Sequence, residues 1–168
     1  MTGAIPDELV DLFEGGVSIL IGTRDASLRS EASRGVGAIV HPDRTRMTIF
    51  VPTDVAARTL ANVRDNGLIA VAFSSILDHR TLQVKGKVEP DGVREARAEE
   101  REVVTRYHNA FAEVLYVTGV PRATTRQLNV WPCIAVTFVL TDIFLQTPGP
   151  NAGERMPMRH PANPKSTS

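Results

Sequence analysis

The sequence predicts a mainly β protein: a closed antiparallel barrel of six strands, with one short inserted helix and one long amphipathic helix. Three observations point there. Short runs rich in β-branched and aliphatic residues recur along the chain, turn-forming residues separate them, and strands do not alternate regularly with helices. No internal repeat is present.

Asp7 to Glu14 reads as a short helix, opened by Pro6 and stopped by Gly15-Gly16. Val17 to Thr23 and Leu28 to Val40 read as strands joined through Asp25-Ala26-Ser27 in a hairpin. His41-Pro42-Asp43 turns the chain into a strand from Met47 to Val51. Thr53 suits a helix N-cap and Asp54 a first turn, and Ala56, Leu60 and Val63 recur at helical spacing until Asn66-Gly67. This predicts a helix from Thr53 to Asp65.

Leu68 to Ser74 and Arg80 to Glu89 are two further strands. In the second, Thr81, Gln83, Lys85 and Lys87 share one face, while Leu82, Val84 and Val88 share the other. Val93, Ala96, Glu100, Val103, Tyr107, Phe111 and Val114 step by three or four, which predicts a helix from Val93 to Leu115 with Glu100 as its polar break. Gly119 and Pro121 end it, and Cys133 to Gln146 returns as extended structure. The domain is expected over residues 1–150, followed by a tail over 151–168 that helps form the site at its start and is disordered over its last dozen or so residues.

With 168 residues, 42% hydrophobic and 23% charged, the chain has the composition of one ordinary globular domain. Basic and acidic residues balance at 19 each, so nothing in the overall charge draws nucleic acid or an anionic membrane, and any anion site must be local. The single cysteine, Cys133, sits in the apolar run WPCIAVTFVL and reads as a buried thiol; alone it makes neither an internal disulfide nor a multi-cysteine zinc cage. His41, His79, His108 and His160 lack metal-ligand spacing, so no metal is expected. The acidic N-terminus without a long apolar core reads as neither a signal peptide nor a membrane span, and the expected address is the cytoplasm.

The segment from Phe50 to Glu89, FVPTDVAARTLANVRDNGLIAVAFSSILDHRTLQVKGKVE, resembles the flavin-binding core of the pyridoxamine 5'-phosphate oxidase-like superfamily. The likeness rests on a strand running into a short helix, the Asn66-Gly67 step, and the Arg-x-x-x-V-x-G-x-V-E pattern from Arg80 to Glu89. It extends through Trp131 to Arg155. The resemblance implies an FMN-binding split barrel and a homodimer that completes two equivalent sites at its interface. It implies cofactor contacts at Arg58 and Thr59, at Arg80 and Thr81, and near Ser33, Arg34 and Gly35, with Trp131 and Arg155 falling where the partner subunit contributes to the same site. Thr59 stands where the oxidase has Lys and Thr81 where it has Gln, and GERMPMRH lacks the oxidase's Arg-x-His-x-Arg substrate signature, which argues against vitamin B6 oxidation.

Read alone, Arg58 is either a solvated side chain or, near the positive end of a helix dipole, half of an anion site. Gln83 and Lys85 lie near the expected site, while Lys87 reads as solvated. Gly35 and Gly37 either let a planar ring approach the backbone or mark a bend. Trp131 is a core or dimer anchor, a ring-stacking partner, or both. No Ser-His-Asp triad or paired carboxylates emerge, so any chemistry must reside in a cofactor. Three readings follow: an FMN-dependent oxidoreductase of a small molecule, a deazaflavin-dependent reductase, or a non-catalytic flavin or haem binder with His79 as axial ligand.

Overall fold

The computed structural model describes residues 4–158. The strands are β1 (Ser18–Arg24), β2 (Ser30–Gly35), β3 (Ala38–Val40), β4 (Arg46–Pro52), β5 (Leu68–Ser74), β6 (Thr81–Glu95) and β7 (Cys133–Leu145). They form one sheet in the order β2-β1-β5-β6-β7-β4-β3, every neighbour antiparallel. The count is seven rather than six, and the ladder is not closed. The cause lies in the run expected as one strand from Leu28 to Val40: at Gly37 the backbone turns to φ +147, which side-chain-bearing residues rarely adopt. The halves on either side become the two edges of the sheet. Phe50 of β4 links them, accepting from the Val36 N–H at 2.9 Å and donating to the Gly37 carbonyl at 3.0 Å.

Alternation on β6 follows the sequence: Leu82, Val84 and Val88 are buried, while Lys85 and Lys87 are exposed. With Ile19, Ile21, Val71, Phe73, Phe138 and Leu140 these inward residues make the core. Helix α1 (Val10–Glu14) sets Phe13 against Phe73 at 4.8 Å between ring centroids.

The inserted helix starts later than Thr53. A 3-10 turn over Thr53–Val55 precedes α2 (Ala57–Asn66), and the Thr53 hydroxyl donates to the Pro132 carbonyl at 2.9 Å instead of capping. Gly67 ends α2 at φ +72, its N–H donating to the Val63 carbonyl at 2.9 Å.

The long helix is shorter than its apolar spacing suggests. Val93 belongs to β6 and pairs with Val136, and α3 spans only Arg101–Val117. Glu100 is no polar break: it precedes α3, accepts from the Arg97 N–H at 2.7 Å, and pairs with Arg94. A short α4 (Arg122–Arg126) follows. The start of the tail is tied back to β7, with the Leu145 N–H donating to Glu154 at 2.9 Å and Met156 to Ile143 at 2.8 Å. The stretch expected to be disordered, with His160, lies almost wholly outside the described residues.

Candidate functional site

Helix α2 lies on the β1–β2 hairpin because three polar side chains fasten it there. The Thr59 and Ser33 hydroxyls are 2.8 Å apart, Asn62 donates to the Thr23 hydroxyl at 3.0 Å, and Asn66 donates to the Arg24 carbonyl at 2.8 Å. Ser33 and Thr59 are both buried, Thr59 completely. Their hydroxyls share one hydrogen bond, which turns both side chains toward the helix–hairpin seam. The clamp partners Thr23 and Asn62 carried no sequence signal, since helical spacing singles out only the apolar positions.

Arg58, the next residue along from the buried face, points outward with 83% of its side chain exposed and its guanidinium 3.4 Å from Glu31. It borders a groove of about 310 Å³ lined also by Asp25, Arg29, Ser30 and Glu31. Arg29 pairs with Asp25 at 2.8 Å, and the Arg29 backbone N–H foremost holds the Asp25 carboxyl below its ordinary value. The residue before α2 is Ala56, so no side chain caps the amides of its first turn.

Register places the other candidates on the outer face of the sheet. One row across it runs Arg34, Leu20, Ala72, Gln83, Phe144; the next runs Ala32, Gly22, Ala70, Lys85, Asp142. The face is poor in side-chain bulk at Gly22, Ala70 and Ala72, and Leu20 stands 52% exposed. A groove of about 500 Å³ crosses it, bordered by Gly22, Arg24, Ala70 and Lys85. The Lys85 ammonium sits 4.7 Å from the Phe144 ring centroid. Arg155, bridged to Phe144 through the backbone, pairs with Asp142 at 2.6 Å. Gln83, Lys85 and Arg155 are thus brought together.

The remaining candidates are placed elsewhere. The Thr81 hydroxyl donates to Ser74 at 3.1 Å, and exposed Arg80 lies with His79 in the turn before β6. Trp131 is half-buried after α4, with the Arg101 guanidinium 5.8 Å from its ring centroid. Gly35 turns its missing side chain to the core: a Cβ there would come within 2.5 Å of the Ile19 Cγ2, so its absence makes room for packing. Gly37 marks the bend. Arg34 belongs to the outer row but turns its guanidinium onto the Phe111 ring of α3, 4.5 Å from the centroid.

The Cys133 thiol donates to the Val130 carbonyl at 2.8 Å and is pushed up to about 12 by burial and secondarily by Asp54, which leaves it unreactive. Among the described residues no helix is long and apolar enough to cross a membrane, and no three His, Cys, Asp or Glu side chains converge as metal ligands.

No protein-family model and no curated protein matches the chain. Solved structures do. HupZ of Group A Streptococcus superposes with a TM-score of 0.53 at 21% identity, over 89% of this chain and 99% of that one. A putative pyridoxamine 5'-phosphate oxidase of Lactobacillus delbrueckii gives 0.53 at 13%, over 84% and 93%. An F420 reductase gives 0.52 at 15%, over 83% and 98%.

Proposed function

We propose that this chain, which has the split-barrel fold of the pyridoxamine 5'-phosphate oxidase-like superfamily, binds FMN along its outer sheet face and uses it to oxidise or reduce a small molecule. The observation that carries the reading is the continuity of two features. Ser30 of the Arg58 groove and Arg24 of the Gly22–Ala70 groove are cross-strand partners, so a site for an anion would adjoin a surface open enough for a planar ring.

The residues fit such a molecule. Arg58 and Arg29, with the Ser30 hydroxyl in the same lining, form the donor set for a phosphate monoester, which would take Arg58 from Glu31. A Cβ at Gly22 would meet only the Ala70 carbonyl, at 3.8 Å, so the face is open there. Gln83 and Lys85 supply a hydrogen bond and a positive charge beside the ring, the pairing that stabilises a reduced flavin anion. Bound flavin would supply the hydride chemistry; the chain's own groups bind, orient and exclude water.

The same face carries the exposed Leu20 and would be covered by a second copy, giving a homodimer with two sites to which Trp131 and Arg155 of the opposite subunit contribute. Deazaflavin is the second reading, favoured by the F420 reductase likeness and by Lys85 and Lys87 projecting side by side toward solvent, where a longer anionic tail could run. The visible spectrum of the freshly purified protein, before and after incubation with FMN, tests the proposal. Flavin absorption retained through gel filtration supports it; a deazaflavin or haem spectrum, or no retained chromophore, rejects FMN.

A further inference from the structure

Arg34 presents a problem that its stacking on Phe111 does not solve. Its Nη2 is buried and has no hydrogen-bond partner, and Phe111 offers a ring face but no acceptor. A buried guanidinium nitrogen without a partner is costly, and native proteins rarely leave one unless something fills the place. Beside it lies a cavity of about 230 Å³ between β2 and the helical side of the molecule.

The walls of that cavity are mostly apolar: Val36, Val55, Phe111, Leu128 and Val130. Its other polar groups are already engaged or weakly charged. The Tyr107 hydroxyl donates to the Val17 carbonyl at 2.8 Å and lies beside the Arg34 side chain, whose charge and hydrogen bonding oppose the upward push of burial on the phenol, yet Arg34 Nη2 itself stays unpartnered; Asp54 at the rim accepts from Asn129 at 3.3 Å. His108 is held toward its neutral form by burial first and then by the charges of Arg34 and Arg126.

We propose that this cavity is a second ligand site, separate from the cofactor face, which takes a small apolar carboxylate with Arg34 Nη2 as the anchor. One free guanidinium nitrogen matches one carboxylate oxygen, and the apolar walls match a compact hydrocarbon body. A phosphate is disfavoured because it would need several converging donors, and the cavity offers a single unpartnered one in Arg34 Nη2. The Arg58 groove and this cavity share no lining residue, and adjacent residues of β2 turn to different helices: Ser33 faces α2, Arg34 faces α3.

The test uses the full chain, with and without FMN, titrated with benzoate and with its neutral counterpart benzamide while backbone amide shifts are recorded. Benzoate should give saturable shifts in α3 and residues 128–130, and benzamide should bind at least about tenfold more weakly. Arg34→Met, which keeps the stack on Phe111 but loses the donors, should weaken benzoate by a similar factor. Leu128→Trp, at a rim position 46% exposed, should block benzoate while leaving Arg34 in place. If Arg34→Met fails to fold, Leu128→Trp and the benzamide comparison decide. Equal binding of benzoate and benzamide, or no saturable shift in the folded protein, would show a water-filled cavity and overturn the proposal. FMN retention is scored in the same samples, so loss of this site and failure of the flavin reading are told apart.

Discussion

The hydroxyls of Ser33 on β2 and Thr59 on α2 meet at 2.8 Å inside the protein, fixing the helix to the hairpin and leaving Arg58 free to face solvent. Thr59→Val therefore strands the Ser33 hydroxyl and should cost about 1–3 kcal/mol in urea denaturation. The double variant Ser33→Ala with Thr59→Val should recover much of that loss, because both partners are then absent. A double variant no better than Thr59→Val alone would contradict a mutual bond.

Gly35→Ala should destabilise the protein by about 1–3 kcal/mol, since its Cβ would sit 2.5 Å from Ile19 Cγ2 in a packed core. FMN affinity of the fraction that remains folded should be unchanged. A stable Gly35→Ala protein that had lost FMN would return this glycine to the cofactor's surroundings.

Much of this was legible in the sequence and some was not, for identifiable reasons. Alternation on β6 and the Asn66-Gly67 stop are local patterns, and local patterns survive folding. Val93 fits a helical spacing equally well, but its cross-strand partner Val136 decides for a strand, and that partner is 43 residues away in the chain. Pro90 and Gly92, which look like breakers, sit in the register shift between Val88 and Val93. At the site, Arg58 could be picked out from its place in a first helical turn. That Thr59 would be buried depended on where Ser33 stands across the hairpin, which no one-dimensional spacing encodes.

Glu100 is held below its ordinary carboxylate value chiefly by the Arg94 hydrogen bond, with the Arg97 N–H adding to it and desolvation opposing. Because the folded value is lowered, its contribution is fully present above the ordinary value of 4.5 and is lost as pH falls through the lowered one. Glu100→Gln should cost about 1 kcal/mol at pH 7 and flatten the loss of stability as pH falls below the ordinary value of 4.5. Parallel acid profiles of variant and parent would show the pair to be without weight.

The outer face should be an interface. Sedimentation should find the protein dimeric at micromolar concentration, and Leu20→Glu, a charge at a 52% exposed position on that face, should shift it to monomer without unfolding. A monomeric parent protein that holds FMN would exclude a site shared between two subunits.

The most direct measurement is the titration of the protein and of Arg58→Ala with FMN and with riboflavin, followed by quenching of flavin fluorescence. A charge-assisted hydrogen bond is worth about 1.5–3 kcal/mol, so Arg58→Ala should weaken FMN by about ten- to a hundredfold and leave riboflavin, which lacks the phosphate, nearly unchanged. Equal weakening of both, or FMN affinity indifferent to the substitution, would contradict a phosphate site at the start of α2.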